Sequence, residues 1–281
     1  MGFGCNAVGV TGCRIISSKR ERVIAMVTNS LIPCNGRFPT LIALITMFMT
    51  FGAAALGGAV SALVLLTLIL VSIFATLLIS KLLSKTLLKG EGSAFVLELP
   101  PYRAPKVWSV IVRSVFDRTL FVLGRAVAVA APAGLVIWIL ANVRVGNGSL
   151  LVGISSFLDP IGRLFAMDGA ILLAFILALP AGEIFIPILL MIYTGGGSLV
   201  EYGSIAQLRH ILTLNGWTTV TAIAVAVFTL FHFPCSTTLM TIKRESGKWR
   251  WAAVAAAVPT AFGVLICLTL KLVSEIFSSV L

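Results

Sequence analysis

Charge is scarce in this chain, and acid is scarcer than base. Its 281 residues hold 21 Lys and Arg, 10 Asp and Glu and 2 His, so only 11% are charged while 59% are hydrophobic. Soluble domains carry about a quarter of their residues as charges, and a fold of this length cannot hide so much apolar surface from water. That excludes a soluble globular protein. The five cysteines are an odd number and form no CxxC pair, which excludes a disulfide framework and a zinc knuckle. The glycine-rich stretches "GVTGCRII" and "GEGSAFVL" lack the lysine of a nucleotide-binding P-loop. Neither HExxH nor a Ser-His-Asp order occurs, so the residues support no enzyme. The net charge of +11 comes without a basic amphipathic helix interleaved with aromatics, and nucleic acid is therefore excluded as a partner. The start, "MGFGCNAVGV", lacks the basic region and uniform apolar core of a signal peptide. Asn6 also stands where a myristoylation motif needs a hydroxyl.

Long apolar runs are what the chain does have. Several exceed the roughly 18 residues that mark a membrane-crossing helix, and the mean hydropathy is +1.08. The expected fold is all-α: a polytopic helical membrane protein of about five or six spans, with broken or re-entrant segments and one interfacial amphipathic helix. Spanning helices are read at 39–57 and 60–82, joined by "LGGA", and at 120–142, 217–241 and 250–274. Arg37 before the first pair, and Lys81, Lys85 and Lys89 after it, place both ends on the cytoplasmic side. Residues 90–118 hold three prolines and then an apolar set at helical spacing, Val107, Trp108, Ile111, Val112, Val115 and Phe116, which predicts the interfacial helix. The run 168–193 is long enough to span but contains "LPAGE" and Pro187. If it crossed fully, the cationic "KRESGKWR" would lie outside, so a re-entrant segment folding back at "PAGE" is preferred.

Three stretches share one pattern: "GFGCNAVGVTGCRIISSKRER", "SLIPCNGRFPT" and "FHFPCSTTLMTIKRESGK". Each sets a cysteine (Cys5, Cys34, Cys235) beside Gly or Pro, followed by a small polar residue. In the first and third a cation, Arg14 or Arg244, falls nine residues later. Paired discontinuous segments point to a transport site, because bare backbone at membrane depth is tolerated only where it lines a cavity or is buried in protein. A thiol there offers a soft donor to a transition metal. Glu183, inside an apolar run with no neighbouring cation in sequence, is the second pointer. His232 is a weaker candidate ligand, since a lone histidine in an apolar helix more often bonds a carbonyl. Cys13 and Cys267 read as packing. Asp117, Asp159 and Asp168 read as helix caps or as partners of Arg118 and Arg163. Arg14, Arg22, Lys243 and Arg244 read as topology anchors.

Taken in order, "GFGCN", "CRIISSKRER", "NSLIPCNGRFP", "ELPPYRAPK", "LPAGEIFIPI" and "FHFPCSTTLMTIKRESGKWRW" resemble the membrane region of the bacterial ferrous iron transporter family FeoB. The resemblance covers nearly the whole chain. It implies a first Gate-like tail over 1–38, a helical hairpin over 39–89, a cytoplasmic loop and interfacial helix over 90–118, a second Gate (nucleoside-recognition-like) region over 119–245 and a final transmembrane helix over 246–281. It implies Fe2+ passing the bacterial cytoplasmic membrane, with Cys5, Cys34, Cys235 and Glu183 as transient contacts and no permanently bound cofactor. Where the family usually reads Ala-Asn-Glu, this chain reads Ala-Gly-Glu, so Gly182 offers no amide ligand. The family's GTP-binding domain is expected to be missing, so that GTP would act only through another domain or chain. Small cytosolic Feo proteins and a homo-oligomer are the further partners implied. The readings set beside it are a Gate-type transporter of a nucleoside or other solute, which would want polar pocket residues in place of the cysteines, and a non-conducting membrane assembly subunit.

Overall fold

The computed structural model describes residues 2–49, 57–88, 106–113, 116, 120–145, 148–196, 198–199 and 203–280. Among them the fold is all-α, apart from a two-residue antiparallel ladder of Arg144–Val145 against Gly148–Ser149. Helices that stop half-way across and helices that run on are set by proline and glycine.

The first half of the chain is built from short pieces. α1 (Asn6–Gly12) leads through a tight turn to α2 (Lys19–Thr28), which Ser18 caps by accepting from the Glu21 amide. A single 3-10 turn, Asn29–Leu31, ends it. Pro33 disfavours helix at the residue before it, and Ile32 is extended. α3 (Phe38–Phe48) then starts afresh with Pro39 in its first turn, where the missing N–H costs nothing. Its eleven residues rise only about 16 Å, half of a hydrocarbon core roughly 30 Å thick. The span expected at 39–57 is therefore a half-helix as far as Phe48, and residues 50–56 lie outside the described ones. α2 and α3 are separated by the break at Pro33–Gly36.

α4 (Gly57–Lys85) and α13 (Trp249–Val280) are continuous, long and apolar. Only Ser72, Ala75, Ile79 and Leu83 of α4 are buried, a seam at helical spacing one residue wide. Leu63, Leu66, Leu70, Phe74 and Leu77 remain exposed for lipid. The apolar stretch of α4 is buried over 17% and that of α13 over 22%, against 56% for Thr219–Ser246, so the last of these is the central crossing. Those three stretches are long and apolar enough to cross a membrane; 38–48, 127–142 and 182–194 are shorter apolar helices. α5 (Val107–Arg113) is the described part of the expected interfacial helix, exposed from Val107 to Val112. The proline-rich stretch before it, with Val115, Asp117 and Arg118, falls outside the described residues.

The second half folds back on itself. α6 (Phe121–Asn142) leads through the short ladder to α7 (Leu150–Arg163), and α8 (Gly169–Leu177) packs tightly against α7. A Cβ added at Gly169 would lie 1.8 Å from the Ser155 carbonyl oxygen, and backbone cannot yield to it. Gly169→Ala should therefore separate α7 from α8 at a cost of at least about 3 kcal/mol, read as a lower melting temperature of the purified protein in nanodiscs. An unchanged melting temperature would refute the packing.

After α8 the helix stops at "LPAGE", residues 179–183, a 3-10 turn covers Gly182–Ile184, and α9 (Phe185–Thr194) returns. The Tyr193 hydroxyl, at the end of α9, donates to Asp168 Oδ2, at the start of α8. The segment therefore enters and leaves at one end of the molecule, as a re-entrant hairpin. Trp217 Nε1 donates to the Tyr193 hydroxyl at 2.8 Å, which brings the start of α11 (Thr219–Phe231), beyond α10 (Ile205–Leu214), to the same end. Phe48 stacks on Trp217 with ring centroids 5.9 Å apart, so α3 also points there. α11 returns to the middle, breaks at His232–Cys235, and continues as α12 (Ser236–Ser246).

Cations collect at the opposite end. Arg14 makes a two-pronged ion pair with Glu245, at 2.7 and 2.6 Å. Arg20 donates to the carbonyls of Ser84, at 3.1 Å, and Leu88 at the close of α4, where the helix dipole is negative. Arg22 caps the Ile16 carbonyl at 2.9 and 2.7 Å, and Lys243 sits 5.2 Å over the Trp249 ring. This gathering satisfies the positive-inside pattern. Arg37 is the exception: expected as a flanking cation, it is 3% exposed and lies inside the protein.

Candidate functional site

Four non-helical breaks meet in the middle of the molecule: Gly4–Cys5, immediately ahead of α1, and three points where one helix gives way to the next, Pro33–Gly36, Pro180–Glu183 and His232–Cys235. Two backbone hydrogen bonds tie them in pairs. The Asn35 amide donates to the Gly4 carbonyl at 3.2 Å, and the Ser236 amide donates to the Leu179 carbonyl at 2.9 Å. The second and third interruptions touch as well. A Cβ at Gly36 would come within 3.2 Å of Glu183 Cγ and 3.3 Å of its Oε1, so the Glu183 side chain packs closely over Gly36.

The cysteines follow the breaks. Cys5 stands immediately before α1 and Cys235 immediately before α12, both at helix N-termini. Cys34 lies in the loop between them. All three are half-buried. Cys5 and Cys34 lie within electrostatic reach of the Cys235 thiol, and Cys235 Sγ is 3.2 Å from the Thr238 hydroxyl. Glu183 is exposed at the tip of the re-entrant hairpin. Among the described residues, no three His, Cys, Asp or Glu side chains stand close enough to form a metal cage; the thiols share an opening but do not close on one point.

His232 is placed differently. Its Nδ1 lies 3.0 Å from the Thr229 carbonyl and 3.2 Å from that of Phe228. Its ring packs among Phe175, Phe228 and Phe233, with centroids 5.1, 6.1 and 5.3 Å away. This buried ring caps the end of α11. Cys267 is buried, with its Sγ 3.5 Å from the Ala224 carbonyl, and Cys13 is half-buried over the Gly9 carbonyl at 3.4 Å. Asp168 caps α8 through the Ile171 amide at 2.7 Å. Asp159 accepts from the Gly169 amide at 2.9 Å and pairs with Arg163 at 2.8 Å. The Gly169 amide holds the Asp159 carboxyl below its usual range, against the opposing effect of burial and with help from Arg163.

The residue that the sequence alone misassigned is Arg37. Its Nη1 donates to the carbonyls of Leu230 at 2.8 Å and Ser30 at 3.3 Å. Its Nη2 donates to those of His232 at 3.0 Å and Phe233 at 3.3 Å. The reason lies in Pro234: it occupies the position whose amide would have served Leu230 in a continuous helix, and it has no N–H. The break thus leaves acceptors bare, and the guanidinium, with five donors in a plane, fills them. The available signal was position. Arg37 directly follows the break "PCNG", whereas a topology anchor follows the end of an apolar run.

Comparison with known proteins adds what geometry cannot. Residues 65–118 match the family described as "Ferrous iron transport protein B C terminus" and residues 123–249 the one described as "Nucleoside recognition". The Fe(2+) transporter FeoB of Staphylococcus aureus (strain COL) is 27% identical over 99% of this chain. Over almost its whole length the chain is similar to FeoB. FeoB of Methanocaldococcus jannaschii is 24% identical over 98% of the chain. A protein of Porphyromonas gingivalis named as a fusion of Fe(2+) transport protein A with FeoB is 27% identical over 90%. The chain spans only 40%, 41% and 34% of these three FeoB proteins. No solved structure matches it. The two matched FeoB regions meet at the boundary between α5 and α6, and the second contains both the re-entrant hairpin and the broken central crossing.

Proposed function

We propose that this chain is the membrane permease part of a ferrous iron uptake system in the bacterial cytoplasmic membrane, crossing it several times with its cationic end inside. The meeting of three helix breaks and the start of α1 around three thiols and one carboxylate is the observation that carries the reading. Fe2+ would pass there through transient contacts with Cys5, Cys34, Cys235 and Glu183. Sulfur and carboxylate donors on an open path shed the ion as readily as they take it, which conduction requires, and a sulfur donor favours Fe2+ over the harder ions that outnumber it. His232 serves the shape of the break. The iron transporters among its relatives support Fe2+ as the cargo, and the Porphyromonas fusion supports a small Feo protein as partner. A GTP-binding domain or chain is the expected driver, since these 281 residues hold no P-loop lysine.

Iron uptake in a bacterium deficient in ferrous uptake decides it. The chain should restore uptake when co-expressed with the N-terminal portion of a full-length relative. Cys5→Ser, Cys235→Ser and Glu183→Ala should each lower the initial rate about tenfold, equivalent to roughly 1.4 kcal/mol of lost coordination. Unchanged rates in all three variants, at equal membrane abundance, would remove these residues from the path.

A further inference from the structure

A divalent cation entering a broken helix meets carbonyl oxygens before anything else, and carbonyl oxygens are what Ca2+, Mg2+ and K+ prefer. The end of α11 presents three such oxygens, on Leu230, His232 and Phe233, and the loop before α3 adds that of Ser30. All four already have a cation. The Arg37 guanidinium lies 2.8 to 3.3 Å from them, is 3% exposed, and acts electrostatically on both Cys34 and Cys235. No ion pair joins it to an acid among the described residues; its partners are the backbone and, one residue before it, the glycine over which Glu183 packs.

We propose that Arg37 is a tethered resident cation that keeps hard metal ions out of the central break, leaving thiol and carboxylate as the only donors open to an incoming ion. The idea deepens the proposed function, whose ion path it assumes. Its physical basis is competition. A guanidinium is weakly hydrated and carries planar donors that match several carbonyls at once, whereas Ca2+ would have to displace it to gain oxygen ligands. Fe2+, borderline between hard and soft, loses little by this, because the sulfur and carboxylate donors remain. Arg37 is thus a positioning and selectivity residue: it also bonds the carbonyl of His232, whose backbone is extended, just ahead of Cys235 at the start of α12.

Equilibrium binding of radioactive Ca2+ to the purified 281-residue chain in lipid nanodiscs puts this directly. The parent protein and Arg37→Lys, which keeps a buried donor cation, should retain no Ca2+ above the empty-disc level. Arg37→Ala and Arg37→Gln should bind Ca2+ at least about tenfold more tightly than the parent, and millimolar guanidinium should reverse this in Arg37→Ala. Arg37→Gln keeps an amide donor for the carbonyls and supplies the result if Arg37→Ala does not fold. A folded variant without the guanidinium that excludes Ca2+ as the parent does would overturn the proposal, as would Ca2+ binding to the parent itself. A parallel arm with Co2+ reads the thiols through the sulfur-to-metal charge-transfer band. Loss of that arm alone, with the Ca2+ pattern as expected, would sink the thiol path and leave the role of Arg37 standing.

Discussion

Arg37→Ala should lower the unfolding free energy of the chain in nanodiscs by on the order of 4 kcal/mol, the largest effect of any single substitution outside the tightly packed glycines. Four carbonyl oxygens lose their donor, and each acceptor left unpaired in a dry interior costs about 1–3 kcal/mol. Two of them, on Leu230 and Ser30, stand at fully or nearly fully buried residues, where water cannot replace the guanidinium without a cavity. The truncation opens that cavity, so some water enters, and the sum falls short of four full penalties. Arg37→Met keeps the apolar stem and the volume but donates nothing; it should cost nearly as much as Arg37→Ala if the carbonyls dominate, and much less if packing dominates. Arg37→Lys should recover about half of the loss, because one ammonium cannot reach four oxygens in a plane. Thermal unfolding of the four proteins, followed by tryptophan fluorescence, separates these cases. Equal melting temperatures for parent and Arg37→Met would mean that the guanidinium is dispensable to the fold.

Opening the clasp of the re-entrant hairpin should come next, at about 3 kcal/mol for Asp168→Ala. Asp168 Oδ1 caps α8 through the Ile171 amide, and Oδ2 accepts from the Tyr193 hydroxyl at 2.5 Å. Loss of the cap alone costs about 1 kcal/mol, and a hydrogen bond to a carboxylate is worth about 1.5–3 kcal/mol. Tyr193→Phe removes the second interaction and also strands the Trp217 N–H, which donates to that hydroxyl. The double variant should therefore cost less than the sum of the singles, with a coupling of about 1 kcal/mol or more. Strict additivity would show that the two side chains do not share the bond. Because the clasp holds both ends of α8 and α9 at one face, its loss should also expose Pro180–Glu183 to proteolysis.

Much of the architecture was legible because membrane helices obey simple rules. Apolar length and the placement of Pro33, Pro180 and Pro234 marked where helix must stop, and those stops are where the breaks occur. The fold-back of 168–193 was legible too, since only that path brings "KRESGKWR" to the end that also holds Arg14, Arg20 and Arg22. Asp159 and Asp168 read correctly as cap and ion-pair residues because both patterns are local. Arg37 did not, since no local rule says which distant carbonyls a cation will find. The extent of α3 was equally hidden: the run from Pro39 to Phe51 carries no charge, yet the half-helix starts at the central break, well inside the molecule.

By itself the sequence determined that this is an all-α membrane protein similar to FeoB, with cations at one end, because hydropathy, proline and charge act on neighbours along the chain. Tertiary structure alone decided that four breaks separated by up to 231 positions meet at one place, that Glu183 packs closely over Gly36, and that a buried arginine takes the oxygens which Pro234 leaves bare. Those outcomes rest on satisfying polar backbone where water is absent, and the partners that satisfy it are chosen by packing in three dimensions.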